Sequence, residues 1–248
     1  MLPVVLLAGG LGTRVAPLTG DSLPKAMLVV GGRPFIDYKL ADLGAQGVDD
    51  IFVLVAHRAG PLREHVGDGR AYGTRVNVIE DGDALLGTGG ALRRALPELP
   101  TAFFVTYADT FLPVELAPID AAFRAAGLCG LMTVLENHDR WERSNVRVEG
   151  ALVAEYRKDA TPGRLSYLDY GLLAFDADAF RPFEVGSAFD LAAVFARLIE
   201  MRQLGAYVVE SRFHDIGTVN ALRDTERWMT EQGLAEKLRG HLPPSGAQ

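Results

Sequence analysis

The chain is nearly without cysteine. Cys129 is the single one in 248 residues, so no internal disulfide can form and a reducing compartment is expected. It sits in the apolar run Leu128–Thr133, which reads as a buried, inert thiol. Long hydrophobic runs are also missing. No segment reaches the ~20 apolar residues that span a bilayer. The N-terminal run stops at Ala8 with no basic region before it, too short for a secretion signal. A cytoplasmic protein is expected. Positive charge is scarce overall: the net charge is −7, which argues against nucleic-acid or anionic-membrane partners, since both need a basic face. Internal repeats and low-complexity tracts are absent. The five histidines (His57, His65, His138, His214 and His241) show no ligand-like spacing.

Two familiar phosphate loops are missing as well. The Walker pattern G-x-x-x-x-G-K-[ST] does not occur. The dinucleotide fingerprint G-x-G-x-x-G fails because Val15 stands where its last glycine would be, and Pro17 and Pro24 oppose the helix that should follow. This disfavours a nicotinamide oxidoreductase.

What is present begins at the N-terminus. Leu2–Ala8 is a β-branched apolar run that passes into Gly9-Gly10-Leu11-Gly12-Thr13-Arg14, and Lys25 follows in Leu23-Pro24-Lys25. A buried strand closing in glycines exposes backbone N–H groups to a ligand. Consecutive N–H groups make an anion-binding concavity. Arg14 and Lys25 add a planar fork and a point charge, both suited to phosphate. A bare glycine turn would need neither.

The first half of the chain alternates strand and helix. Strands are expected at Leu2–Ala8, Ile51–Ala56, Arg75–Ile79 and Ala102–Tyr107. Helices are expected at Pro34–Gly47, Gly60–Val66 and Thr88–Leu96. Repeated β-α units imply a parallel sheet with helices on both faces. The second half has strand-like runs at Leu128–Leu135, Asn145–Val148, Leu152–Arg157 and Tyr167–Phe175, with a hairpin turn at Gly150. Helices at Ala188–Leu204 and Val219–Thr230 flank a short strand at Ala206–Val209. A single domain over 1–239 is expected, its halves meeting near 110–111, with a disordered tail over 240–248.

Three more features fall where ligands bind in an open parallel sheet, beyond strand carboxyl ends. Leu86-Gly87-Thr88-Gly89-Gly90-Ala91 opens a helix. Asp109 follows the strand Ala102–Tyr107. Asp215 stands in His214-Asp215-Ile216-Gly217-Thr218 before the last helix, with Thr218 the better helix cap. Each acid alone also suits a turn or cap. Two acids from distant segments are what a Mg²⁺ held by one or two carboxylates plus substrate phosphates requires.

Taken together, G-G-x-G-T-R…P-K, L-G-T-G-G-A, the Asp109 motif and D-I-G-T resemble the sugar-1-phosphate nucleotidylyltransferases, over Pro3 to about Trp228. L-G-T-G-G-A and D-I-G-T look most like the heptose- and mannose-1-phosphate guanylyltransferase branch. The resemblance implies an α/β fold of Rossmann-like, GT-A-like type, with a mixed, mostly parallel sheet flanked by helices. It implies nucleotidyl transfer from an NTP, GTP favoured, to a sugar 1-phosphate, with Mg²⁺ as cofactor. Arg14, Lys25 and Asp109 would be catalytic, and Asp109 and Asp215 the metal ligands. Leu7, Ala8, Gly9, Gly10, Gly12, Thr13, Glu80, Gly87, Thr88 and Gly89 would hold the nucleotide. The small residues Gly87-Thr88-Gly89-Gly90 would leave room for a purine, and Glu80, Asp81 or Asp83 could accept from the guanine edge. Lys158, Asp169 and Gly171 would line the sugar side.

The chain departs from the family in three places. Ala108 replaces the glycine before Asp109. Glu155-Tyr156-Arg157-Lys158-Asp159 stands where F-x-E-K is usual. Asp169-Tyr170-Gly171 stands for N-x-G, and its acid accepts hydrogen bonds but donates none. A cyclitol or other non-sugar alcohol phosphate as acceptor, and a catalytically silent regulatory member of the fold, are the competing readings. Self-association is left open.

Overall fold

A computed structural model describes residues 1–9, 24–56, 59–80, 82 and 85–244. Strand β1 (Val4–Leu7) is followed by the ribbon β2 (Val29–Val30) and β3 (Arg33–Pro34), then helix α1 (Phe35–Ala45). The β-α alternation continues through β4 (Asp50–Val55), α2 (Ala59–Val66), β5 (Arg75–Glu80), α3 (Gly87–Ala95) and β6 (Ala102–Tyr107). The short β7 (Thr110–Phe111) leads to α4 (Leu116–Ala126). The second half holds β8 (Gly130–Glu136), β9 (Val146–Glu149), β10 (Leu152–Tyr156) and β11 (Tyr167–Asp176). It ends with α5 (Leu191–Glu200), β12 (Leu204–Val209), β13 (His214–Asp215), α6 (Val219–Glu231) and α7 (Leu234–Lys237).

One nine-stranded sheet runs in the order β5-β4-β1-β6-β11-β8-β12-β10-β9. β5, β4, β1 and β6 are parallel to one another. β11 then joins antiparallel to both β6 and β8, and β12 is parallel to β8. The sheet is therefore mixed, with its parallel character concentrated in the first half. Two hydrophobic layers cover its faces. β1 shows why: Val4 and Leu6 enter one layer, while Val5 and Leu7 enter the other, as the two-residue period of a strand requires.

Three sequence expectations change. The helix expected over Ala188–Leu204 is shorter, because the Asp190 carboxylate caps it at the Ala192 N–H and residues 187–189 pack elsewhere. Helix α4 has no counterpart among the expected elements. Pro118 obscures it, yet proline is tolerated in a first turn, and Leu116, Ile119 and Phe123 make a buried stripe. The chain past Gly240 is ordered as far as 244. Arg239–His241 form a 3-10 turn, and the Pro243 carbonyl accepts from the Arg33 guanidinium at 2.7 Å. Residues 245–248 lie outside the described residues. Gly150 does make the β9–β10 turn, at φ +61°.

Candidate active site

The parallel strands end together, and a cavity of about 330 Å³ lies beyond them. Its walls are Leu7, Gly9, Leu54, Ala56, Leu85, Leu86, Gly87, Thr88 and Ala91, with Tyr107 and Asp109 at its polar end. An apolar slot with a few polar groups at one side suits a flat ring joined to a charged or hydroxylated portion. Ala8 borders a smaller adjoining pocket with Lys25 and Asp109. Gly10, Gly12, Thr13 and Arg14 lie outside the described residues.

The glycines of α3 have a different reason from the one expected. A Cβ on Gly87 would stand 2.6 Å from the Phe189 carbonyl oxygen, and one on Gly89 would collide with the Phe189 ring. The Gly89 and Gly90 N–H groups both donate to that carbonyl, at 3.1 and 3.0 Å, and the Phe189 N–H returns a bond to the Leu86 carbonyl. The Thr88 hydroxyl accepts from the Leu191 N–H at 3.0 Å. These small residues let the 187–191 segment close onto α3. The Gly89 amide is thereby taken up by the Phe189 carbonyl. Gly87 and Thr88 still line the cavity; Gly89 does not. Glu80 is not brought there either, since it pairs with Arg63 at 2.9 Å on the surface. Asp81 and Asp83 lie outside the described residues.

The two distant acids do meet. β7 and β13 form a two-residue antiparallel ladder in which Asp215 faces Thr110 and His214 faces Phe111. The Ile216 N–H donates to the Asp109 carbonyl at 3.1 Å. The Lys25 ammonium lies 2.5 Å from Asp109 Oδ2. Asp215 Oδ1 accepts from the Gly217 N–H at 2.6 Å. A Cβ on Gly217 would stand 2.7 Å from Asp215 Oδ1 and 3.2 Å from Lys25 Nζ, so Lys25, Asp109 and Asp215 share one small space. Thr218 caps α6, accepting from the Ala221 N–H.

Among the described residues no group of three or more His, Cys, Asp or Glu side chains could hold a metal ion by itself. Two converging carboxylates offer hard oxygen donors of the kind Mg²⁺ takes, with the rest of its shell left to ligand oxygens and water. The donor set fits.

One residue at this ladder was not singled out from the sequence. Lys39 on α1 is buried, and its ammonium donates to the Thr110 carbonyl at 2.9 Å. Burial pushes it down to about 8, against the opposing pull of Asp42 and Asp109. Its signal in the sequence was a cation between Ile36, Leu40 and Leu43 on an apolar helix face.

Near Tyr107, Asp169 lies in a β11 irregularity between β8 pairings. The Gly171 N–H donates to its Oδ1 at 3.0 Å, and Gly171 has φ +84°, which suits glycine. Asn145 Oδ1 accepts from the Asp169 N–H at 2.8 Å. Burial pushes the Asp169 carboxyl up to about 6, against Gly171 and Lys158. Tyr107 and Tyr156 are pushed upward, first by burial and then by the charge of Asp169. Gly171 abuts the Tyr107 ring, its Cβ position 3.5 Å away. Asp169 and Gly171 thus come together with Tyr107, which also lines the cavity. Lys158 is turned toward Asp190 at 2.7 Å, at the start of α5. Glu155 pairs with Arg147, Arg157 and Arg164.

The remaining candidates have packing roles. His214 stacks on Trp228 with centroids 3.8 Å apart, and burial lowers it to about 4. Cys129 is half-buried rather than fully buried, and burial raises its thiol, which keeps it unreactive.

Residues 3–144 match the family model described as Nucleotidyl transferase. The chain is similar to a D-glycero-alpha-D-manno-heptose 1-phosphate guanylyltransferase of Campylobacter jejuni, at 23% identity over 87% of this chain and 95% of that one. It is similar to an N-acetylmuramate alpha-1-phosphate uridylyltransferase of Neisseria meningitidis, at 26% identity over 91% and 97%. Among solved structures, HddC from Yersinia pseudotuberculosis superposes with a TM-score of 0.79 at 22% identity, covering 92% of this chain and 100% of that one. That likeness is one of fold.

Proposed function

The chain belongs to the nucleotidyl transferase family and is a sugar-phosphate nucleotidyltransferase, and from that premise we propose that it joins GTP and a sugar 1-phosphate to give a GDP-sugar and pyrophosphate. The observation that carries the reaction class is the shared space of Lys25, Asp109 and Asp215 at the mouth of an apolar cavity. The attacking group is a phosphate oxygen, already anionic, so no general base is needed. The barrier is bringing two anions together and stabilising charge on the α-phosphate and the leaving pyrophosphate, which is work for positioning and electrostatics.

In this reading the cavity holds base and ribose against Leu7, Leu54 and Leu86, with Gly87 and Thr88 at its rim. Lys25 faces the α-phosphate. Arg14, with Gly9, Gly10, Gly12 and Thr13, takes the leaving pyrophosphate. Asp169 and Gly171 accept the sugar. Asp109 and Asp215 would hold Mg²⁺, which when bound supplies positive charge to the phosphate oxygens.

The preference for GTP rests on the similarity to a guanylyltransferase and no longer on the glycines of α3. The comparably similar uridylyltransferase makes UTP the second reading. The test is pyrophosphate release from GTP, ATP, UTP, CTP and dTTP, each with Mg²⁺ and a panel of sugar 1-phosphates plus an inositol phosphate. Turnover with GTP and a hexose or heptose 1-phosphate is expected. Turnover with UTP alone overturns the nucleotide, turnover with inositol phosphate alone overturns the sugar, and no turnover with any pair overturns the enzyme reading.

A further inference from the structure

Lys39 has a cost that needs a reason. Burying an ammonium is expensive unless it is paired and hydrogen-bonded. Among the described residues its one hydrogen-bond partner is a neutral carbonyl, that of Thr110. The residue that receives this bond is the hub of the acid ladder. The Thr110 hydroxyl donates to Asp109 Oδ1 at 3.2 Å, and its backbone pairs with Asp215. A single threonine therefore connects the buried cation to both acids. The ladder is only two residues long, and two carboxylates drawn together on it repel. A positive charge held in a low-dielectric interior beside them acts more strongly than one in water.

We propose that Lys39, acting through Thr110, is the positioning residue that keeps Asp109 and Asp215 converged and so sets the affinity of the site for a divalent cation. The inference rests on the reading of these two acids as metal ligands. Lys39 touches neither substrate nor metal. It fixes the turn from β6 into β7 from behind, and its charge offsets the repulsion in front.

The test is direct binding of Mn²⁺ alone, measured by electron paramagnetic resonance of the free ion, on the wild type, Asp109→Ala, Lys39→Met, Lys39→Gln and Lys39→Met/Asp42→Asn. The double variant keeps the net charge of α1 at its wild-type value, because Asp42 is the carboxylate on the same helix that Lys39 offsets. Lys39→Gln keeps a donor near Thr110, so at least one variant should fold. The expected result is Mn²⁺ binding about tenfold weaker in each folded variant lacking the cation, with Lys39→Gln the least affected. In turnover, the Mg²⁺ activation constant should rise by a similar factor while the KM for the sugar phosphate holds within twofold. Mn²⁺ affinity within twofold of wild type in the folded Lys39 variants, alongside a clear loss in Asp109→Ala, overturns the inference alone. Equal affinity in wild type and Asp109→Ala overturns the metal reading and the inference with it.

Discussion

Strands β1, β4, β5 and β6 run parallel, and the apolar cavity forms where they stop. Across β11 the sheet turns antiparallel, and there charged or hydroxylated groups gather: Asp169, whose charge reaches Tyr107 and Tyr156, and the Lys158–Asp190 pair. The first half makes its cavity from backbone and small or aliphatic side chains. The second half offers acids and phenols. In the proposed reading the difference corresponds to two ligand chemistries, a flat base on one side and a polyol on the other. It also shows where the halves are joined: at α3, whose glycines admit Phe189, and at the β7–β13 ladder, where Asp109 of the first half meets Asp215 of the second.

The ladder gives the largest expected effect. Asp109→Ala and Asp215→Ala should each lower kcat by roughly 10²–10⁴, the scale of several kcal/mol of charge stabilisation. Melting temperatures should stay within a few degrees, because both acids sit at element ends. If Asp215→Ala kept near-native turnover in Mg²⁺, the second half would supply sugar contacts only, and the division between the halves would be complete instead of shared.

These acids were legible in the sequence because each follows or precedes a strand or helix whose pattern is clear, and Asp215 sits in a motif. Lys39 was not, because a lysine among apolar helix residues reads as a stem that carries its ammonium out to solvent, and only the tertiary packing shows that α1 is covered on nearly every side. The role of Gly89 was hidden for a related reason. A glycine's absence of Cβ is visible in sequence, but whether a ligand or another backbone fills the space depends on a segment about a hundred residues away. The second half was legible as strands and not as pairings, since antiparallel register is set by tertiary contacts that periodicity does not encode.

The junction at α3 gives an intermediate effect. Gly89→Ala drives a Cβ into the Phe189 ring, and overpacking of this kind costs about 1–3 kcal/mol. Tm should fall by roughly 2–12 °C for a chain of this size, with the order of nucleotide preference unchanged. Thermal melts with and without each NTP would check it. A native Tm together with altered base preference would return this glycine to the nucleotide site and erase the joint between the halves.

The smallest effect belongs to Asp169, and it carries a sign. Its carboxyl is raised from 3.8 to about 6, mainly by burial. The folded protein therefore binds this proton more tightly than the unfolded chain does, and the ionised form costs stability. That cost is absent below pH 4, grows as pH rises toward 6, and is constant above. Asp169→Asn cannot ionise, so it should be more stable than wild type at pH 7.5 and no more stable at pH 4. A carboxyl raised this far sets an upper limit of about 3 kcal/mol. Because the residue keeps some contact with solvent, about 1 kcal/mol is expected, or roughly 2–4 °C. The stability gained should be offset in function. The amide adds a donor where the acid only accepts, so the KM for the sugar phosphate should rise several-fold while the KM for the nucleotide holds. Melts at both pH values and the two KM values decide the point. A Tm difference that is the same at pH 4 and 7.5 would mean that Asp169 is not strained by its charge. A nucleotide KM that moves with the sugar KM would mean that it does not belong to the polyol side.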